Sequence, residues 1–289
     1  MNQMKKFLAI ILACVAIGCL IVAAVITLRY MQEDIASEDA VNVSNAYQVS
    51  AESIATPVPT PEAAAFPTAV PSATKEPAAT PASTEIPRVA NPYADSYLAN
   101  EDMAGWLQIP GTVIDYPIMW TPEDENYYLY RDFNKKDNSN GCLILDTDSS
   151  LDPLTTNLII HGHNMKSGAM FGDLTEYEDK DYYEEHKQII LYTKECRRSY
   201  EVIAVFRSQV FKKTDNVFKF YKFFQADTEE EFNDFYSNIK ELSLYDTGVT
   251  AKFGDNFITL STCVYHVTNG RFVVVAKEVE TGDYYLPLE

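Results

Sequence analysis

Thr259-Leu260-Ser261-Thr262-Cys263 closes one apolar, β-branched run, and eight residues on Arg271 opens another, Phe272-Val273-Val274-Val275-Ala276. Both runs read as strands, and Asn269-Gly270 supplies the turn chemistry of a hairpin between them. Joined through residues 265–270, they set the Cys263 thiol across from the Arg271 guanidinium. A thiol is only partly ionised at neutral pH, so a nucleophilic role needs a cation or base nearby. Arginine keeps its charge and donates two parallel hydrogen bonds, which suits a substrate carbonyl or a developing oxyanion. The plainer reading of the same spacing is a buried strand cysteine and a solvent-facing arginine.

A base is available on another apolar run. Leu158-Ile159-Ile160 leads into His161-Gly162-His163. Positions two apart in a strand share a face, so either histidine can serve the same site. Gly162 marks the strand end and leaves His163 on a loop, where functional groups cluster. Two histidines and two cysteines also raise zinc, but Cys196 and Cys263 lack a second ligand at short range, so no metal is expected. His186 and His266 belong to no motif and read as surface residues.

Outward from these segments the pattern is short apolar runs split by turn signals, the mark of a mainly β barrel or sandwich. The expected strands are residues 105–109, 113–119, 141–146, 157–161, 188–193, 198–209, 257–262 and 271–279. The clearest helix is 228–242: Thr228 and Glu231 make a capping-box pattern, and Phe232, Phe235, Tyr236 and Ile239 follow at helical spacing. Weaker helices are expected over 93–103 and 179–186.

The amino-terminal third is of another kind. Residues 7–28 carry no charge and are long enough for one membrane span, with Lys5 and Lys6 before them and Glu33, Asp34, Glu38 and Asp39 after. The basic flank orients the amino terminus inward and the rest outside the cell. The run exceeds a typical signal-peptide core and no A-x-A site closes it. Apolar sequence continues past Cys14 and Cys19, which argues against lipid attachment there. An uncleaved anchor over residues 1–30 is the expectation. Nine of the 14 prolines fall between Thr56 and Pro92. Such a segment forms no core and favours extended conformations, at about 3.1 Å per residue a reach on the order of 100 Å. Residues 31–91 are thus expected to be a stalk, and 92–289 the folded domain.

Removing the three basic residues of the first thirty leaves 20 Lys and Arg against 42 Asp and Glu, a formal charge of −22 over residues 31–289. That surface repels nucleic-acid phosphates. Of the five cysteines, Cys142, Cys196 and Cys263 lie beyond the anchor, an odd number that cannot pair completely. Cys142 and Cys196 sit in strand-like runs and read as buried; the polar flanks of Cys263 set it apart.

Together these segments resemble a known family. Thr259-Leu260-Ser261-Thr262-Cys263 with Arg271 and the run to Lys277 is similar to the active-site strand pair of the sortases. Gly162-His163-Asn164-Met165 with Met170-Phe171 resembles the histidine region of the class B members. So do Gly105-Trp106-Leu107, Ile114-Asp115-Tyr116-Pro117, Asn126-Tyr127-Tyr128-Leu129 and Gly141-Cys142-Leu143-Ile144-Leu145-Asp146, all in family order across residues 92–282.

The resemblance implies a closed eight-stranded β-barrel with amino-terminal helices and a long helix inserted before the cysteine strand. It implies a cysteine transpeptidase needing no cofactor, which cleaves the carboxy-terminal sorting signal of surface proteins after a threonine. Cys263 forms a thioester acyl-enzyme, His163 is the acid and base, and Arg271 binds substrate and stabilises the oxyanion, with Thr262 and Ser261 supporting that pocket. The acceptor is the amine of a peptidoglycan precursor, and the enzyme sits on the wall side of the cell membrane. One departure stands out: residues 264–270 contain no acidic third member, and Asp146 and Asp173 are left unassigned. Two other readings compete. An L,D-transpeptidase has an arginine two residues after its cysteine, where this chain has Tyr265. A non-enzymatic, stalked surface protein would also fit the anchor and stalk.

Overall fold

Every one of the eight apolar runs is a strand in the computed structural model, which describes residues 87–288. The expected anchor over 1–30 and nearly all of the expected stalk lie outside the described residues. No helix among the described residues is long and apolar enough to cross a membrane. The strands are β1 (Arg88–Val89), β2 (Met103–Gln108), β3 (Asp115–Met119), β4 (Leu143–Leu145), β5 (Asn157–Gly162), β6 (Gln188–Tyr192), β7 (Cys196–Gln209), β8 (Phe257–Cys263) and β9 (Gly270–Tyr285). Hydrogen bonding runs β9-β7-β6-β2-β3-β4-β5-β8 and returns to β9, closing an eight-stranded barrel. The short β1 lies outside the ring, parallel to the far end of β9, with Arg88 opposite Tyr284.

Alternation sorts side chains to the two faces of the closed sheet. Leu107, Tyr116, Leu143, Leu158, Leu191, Val202, Leu260 and Val274, one from each strand of the ring, share the main core. The opposite face is covered in two places. Helix α1 (Ala94–Ala99) and residues 120–142 bury Trp106, Met119 and Ile144 with Tyr93, Tyr128 and Phe133. Between β7 and β8 comes helix α3 (Glu229–Leu242), which buries Phe232, Phe235 and Ile239 against Ile203, Phe257, Val273 and Val275. Its capping box forms as the sequence pattern requires: the Thr228 hydroxyl accepts from Glu231 N at 3.2 Å, and the Glu231 carboxylate accepts from Thr228 N at 3.1 Å. Helix α2 (Lys180–Glu185) begins at Asp179, whose side chain accepts from Asp181 N.

Boundaries differ from expectation where side chains bond to backbone. The helix expected over 93–103 ends at Ala99 because Asn100 turns extended. Its side-chain Nδ2 donates to Tyr128 Oη and Phe133 O, and its Oδ1 accepts from Asp102 N, so β2 starts at Met103. Strand β3 starts at Asp115, not 113, because Ile109 N reaches Ile114 O across a turn with Gly111 at φ 84°. Strand β9 runs beyond residue 279 to Tyr285, through polar residues paired with Arg197 to Tyr200 of β7.

Candidate active site

Two pairings assemble the site. Strands β5 and β8 run parallel in unbroken register from Asn157↔Phe257 to Gly162↔Thr262, and β8 and β9 run antiparallel to Cys263↔Arg271. His163 is one step beyond the last β5–β8 pair, which brings it level with Cys263. The side chains of His161, His163, Ser261, Cys263 and Arg271 therefore emerge on one face, the outer face of the barrel. They line one cleft of about 390 Å³, whose other wall is Glu125, Asn126, Leu129 and Tyr130.

Local constraints hold this geometry. Asn269 has φ 58°, and a Cβ on Gly270 would lie 2.3 Å from Val264 O, so the turn between thiol and guanidinium needs glycine there. A Cβ on Gly162 would meet Phe171 at 2.6 Å and Leu143 at 2.7 Å. The strand end between the two histidines thus lies directly on the main core. Asn164 Nδ2 donates to Cys263 O at 2.8 Å and ties the histidine loop to the cysteine.

His163 Nε2 lies 2.8 Å from Leu129 O. A carbonyl only accepts, so Nε2 carries a proton, and Nδ1 is left to exchange one. The Tyr130 ring lies against the imidazole, centroids 5.4 Å apart and planes 32° from parallel. The group that orients this histidine is therefore a backbone carbonyl, which accounts for the missing acidic third member. Of the two unassigned aspartates, Asp146 accepts from His161 Nε2 at 3.1 Å, and Asp173 does not line the cleft.

The three thiols separate as expected: Cys263 is exposed, Cys142 and Cys196 buried. Burial, with a smaller effect of Asp132, pushes the Cys142 thiol far up, so it stays protonated although it borders the cleft. Arg271 Nη1 donates to Asn269 O at 3.3 Å and Gly270 O at 3.0 Å, and among the described residues no carboxylate pairs with it. Its charge is held beside Cys263 and is not neutralised.

The supporting residues divide. Thr262 does not reach the cleft; it shares the inner face of β8 with Leu260, and its hydroxyl donates to Gly162 O at 2.8 Å across the β5–β8 seam. Alternation next to an outward Cys263 requires this. Ser261 does face the cleft, but its hydroxyl is buried and has no partner among the described residues. Sequence reading missed Tyr130, the Leu129 carbonyl and Glu125, all on an irregular segment with no periodicity; only the resembling Asn126–Leu129 string marked that region. Glu125, Asp146 and His161 offer one ligand atom each, all within 4.8 Å of one another. Burial raises the Asp146 carboxyl, but the bonds from His161 and Asp148 N outweigh it and hold the group below its usual range. Burial and then the Asp146 charge push Glu125 up.

A family model described as the sortase domain matches residues 107–279. The chain belongs to the sortase family. This sortase is 34% identical over 197 residues to sortase B of Listeria monocytogenes, across 66% of the chain and 75% of that protein. With sortase B of Staphylococcus aureus it shares 28% identity over 185 residues, across 63% and 72%. Among solved structures, Staphylococcus aureus sortase B matches with TM-score 0.60 and 26% identity over 68% of this chain and 90% of that one. Sortase B of Bacillus anthracis, in complex with AAEK1, matches with TM-score 0.57 and 30% identity over 67% and 89%. The sortase is thus of class B and a cysteine transpeptidase, which sets aside the non-enzymatic reading.

Proposed function

We propose that this sortase cleaves the carboxy-terminal sorting signal of surface proteins after a threonine and joins the threonine to an amine of a peptidoglycan precursor. The observation that carries the reading is the double register: Cys263 opposite Arg271 and level with His163, on one face and in one cleft. The Cys263 thiolate attacks the threonine carbonyl. The Arg271 guanidinium turns from its own loop carbonyls to the oxyanion, where a fixed positive donor has most effect. As the tetrahedral intermediate collapses, His163 Nδ1 protonates the departing amine, and a Cys263 thioester remains. The incoming amine loses a proton to His163 and attacks the thioester, which forms the new amide and releases Cys263. Ser261 supports the acyl pocket from the cleft wall, whereas Thr262 acts through the β5–β8 seam.

The charge-free run at residues 7–28 and the proline-rich stretch after it support a place on the outer side of the cell membrane, within reach of wall precursors. The test is mass spectrometry of a pentapeptide-signal library incubated with the purified protein and an amine acceptor. Cleavage after threonine, amide product with the acceptor, and loss of both in Cys263→Ala are expected. Cleavage that survives Cys263→Ala would overturn the assignment.

A further inference from the structure

The cluster of Glu125, Asp146 and His161 has no part in the acyl transfer described above, yet Glu125 and His161 line the same cleft. A tetrahedral zinc ion with bonds of about 2.0–2.1 Å holds neighbouring ligand atoms about 3.3 Å apart. His161 Nε2 and Asp146 Oδ2 are 3.1 Å apart. They stand where two ligands of one ion would stand, with a proton now between them. Glu125 brings a third donor atom within 4.8 Å of both, from an exposed side chain. A second observation lies beside the cluster. Ser261, in register with His161 and on the same wall, holds a buried hydroxyl with no partner among the described residues. A water bound to an ion at this place would give that hydroxyl a partner.

We propose that Glu125, Asp146 and His161 form a binding site for a divalent transition metal, zinc foremost, in the wall of the peptide cleft. The spacing argument against zinc turned on cysteine ligands, and this set has none. One imidazole and two carboxylates suit zinc and its neighbours better than calcium or magnesium, which take all-oxygen shells. On binding, zinc replaces the proton that His161 Nε2 donates to Asp146, and that proton leaves to solvent. The ion sits two strand positions, about 7 Å, from the level of Cys263 and His163. It therefore occupies space the peptide must enter, and acts as an inhibitor, not as a cofactor.

The test titrates zinc chloride into the full chain carrying Cys263→Ala, so that the nucleophile cannot be the ligand. Calorimetry should find one equivalent bound, and cobalt(II) should give visible bands of a low-coordinate nitrogen and oxygen site. Glu125→Gln and His161→Gln, each in that background, should weaken binding at least about tenfold. Glu125 is exposed, so its variant reads the site even where a histidine variant disturbs the fold. No binding, binding that neither substitution weakens, or binding of calcium but not zinc would each overturn the proposal. These outcomes stand whether or not the acyl-transfer reading holds, because the protein titrated has no thiol at 263. In the protein with Cys263 intact, Glu125→Gln should raise the zinc concentration that halves peptide cleavage. Equal inhibition of both would overturn the inhibitory role.

Discussion

At the scale of single residues, the site separates charge from proton. Arg271 carries a fixed charge whose polar contacts are with its own loop, and His163 carries a proton fixed on Nε2 by a carbonyl. Arg271→Ala should lower kcat/KM for a sorting-signal peptide by roughly 10²–10³, and His163→Ala by roughly 10²–10⁴. Arg271→Lys should recover little, because a point charge lacks the forked pair of donors; full activity in that variant would contradict the oxyanion role. Gly162→Ala makes a purely steric test. The added methyl must push Phe171 and Leu143 aside, so denaturant midpoints should report a loss of about 1–3 kcal/mol, with catalysis falling as both histidines shift. The thiol, guanidinium and histidines were legible because each borders a strongly apolar run. The carbonyl that orients His163 was not, since every residue has one and only the folded loop says which is near.

Among the elements, helix α3 and strands β5 and β8 were the most legible, because period and capping agreed with tertiary burial. The exceptions have local causes: Asn100 stops α1 with its side chain, and the turn at Gly111 delays β3. Thr262 lies on the inner face by simple alternation, since a strand that turns Cys263 outward turns its neighbour inward. Strands β4 and β5 are joined at their outer face by the Asp146–His161 bond, and this gives the sheet a pH dependence with a definite sign. The Asp146 carboxyl is held below its ordinary value in the folded state, so its contribution is present above the unfolded value of about 3.9. It is lost as pH falls through the lower folded value. The stability difference between the native chain and Asp146→Asn, from urea titrations, should shrink as pH falls from about 5 towards 3. A difference that grows on acidification would show that Asp146 is not ionised there.

For the whole molecule, one closed ring with two outer coverings predicts a single cooperative transition. Phe235 is sealed between Phe223 at 3.9 Å and Phe257 at 5.4 Å, measured between ring centroids. Phe235→Ala should therefore cost about 3–5 kcal/mol. Far-ultraviolet circular dichroism and the near-ultraviolet aromatic signal should still lose structure together, and two separated transitions would mean that α3 unfolds independently of the barrel. Closure itself was only partly legible: eight strands suited a barrel or a sandwich, and only the resemblance chose between them, because no local pattern reports which strand meets which. The parallel seam between β5 and β8 has a last consequence. The bonds that level His163 with Cys263 join residues 99 and 100 positions apart, Asn164 to Cys263 and Thr262 to Gly162. Pairings of such separation form late. A half-made chain therefore has no assembled cleft around Cys263. Thiol, imidazole and guanidinium come level only when the ring shuts, so the constellation exists nowhere in the chain until folding is complete.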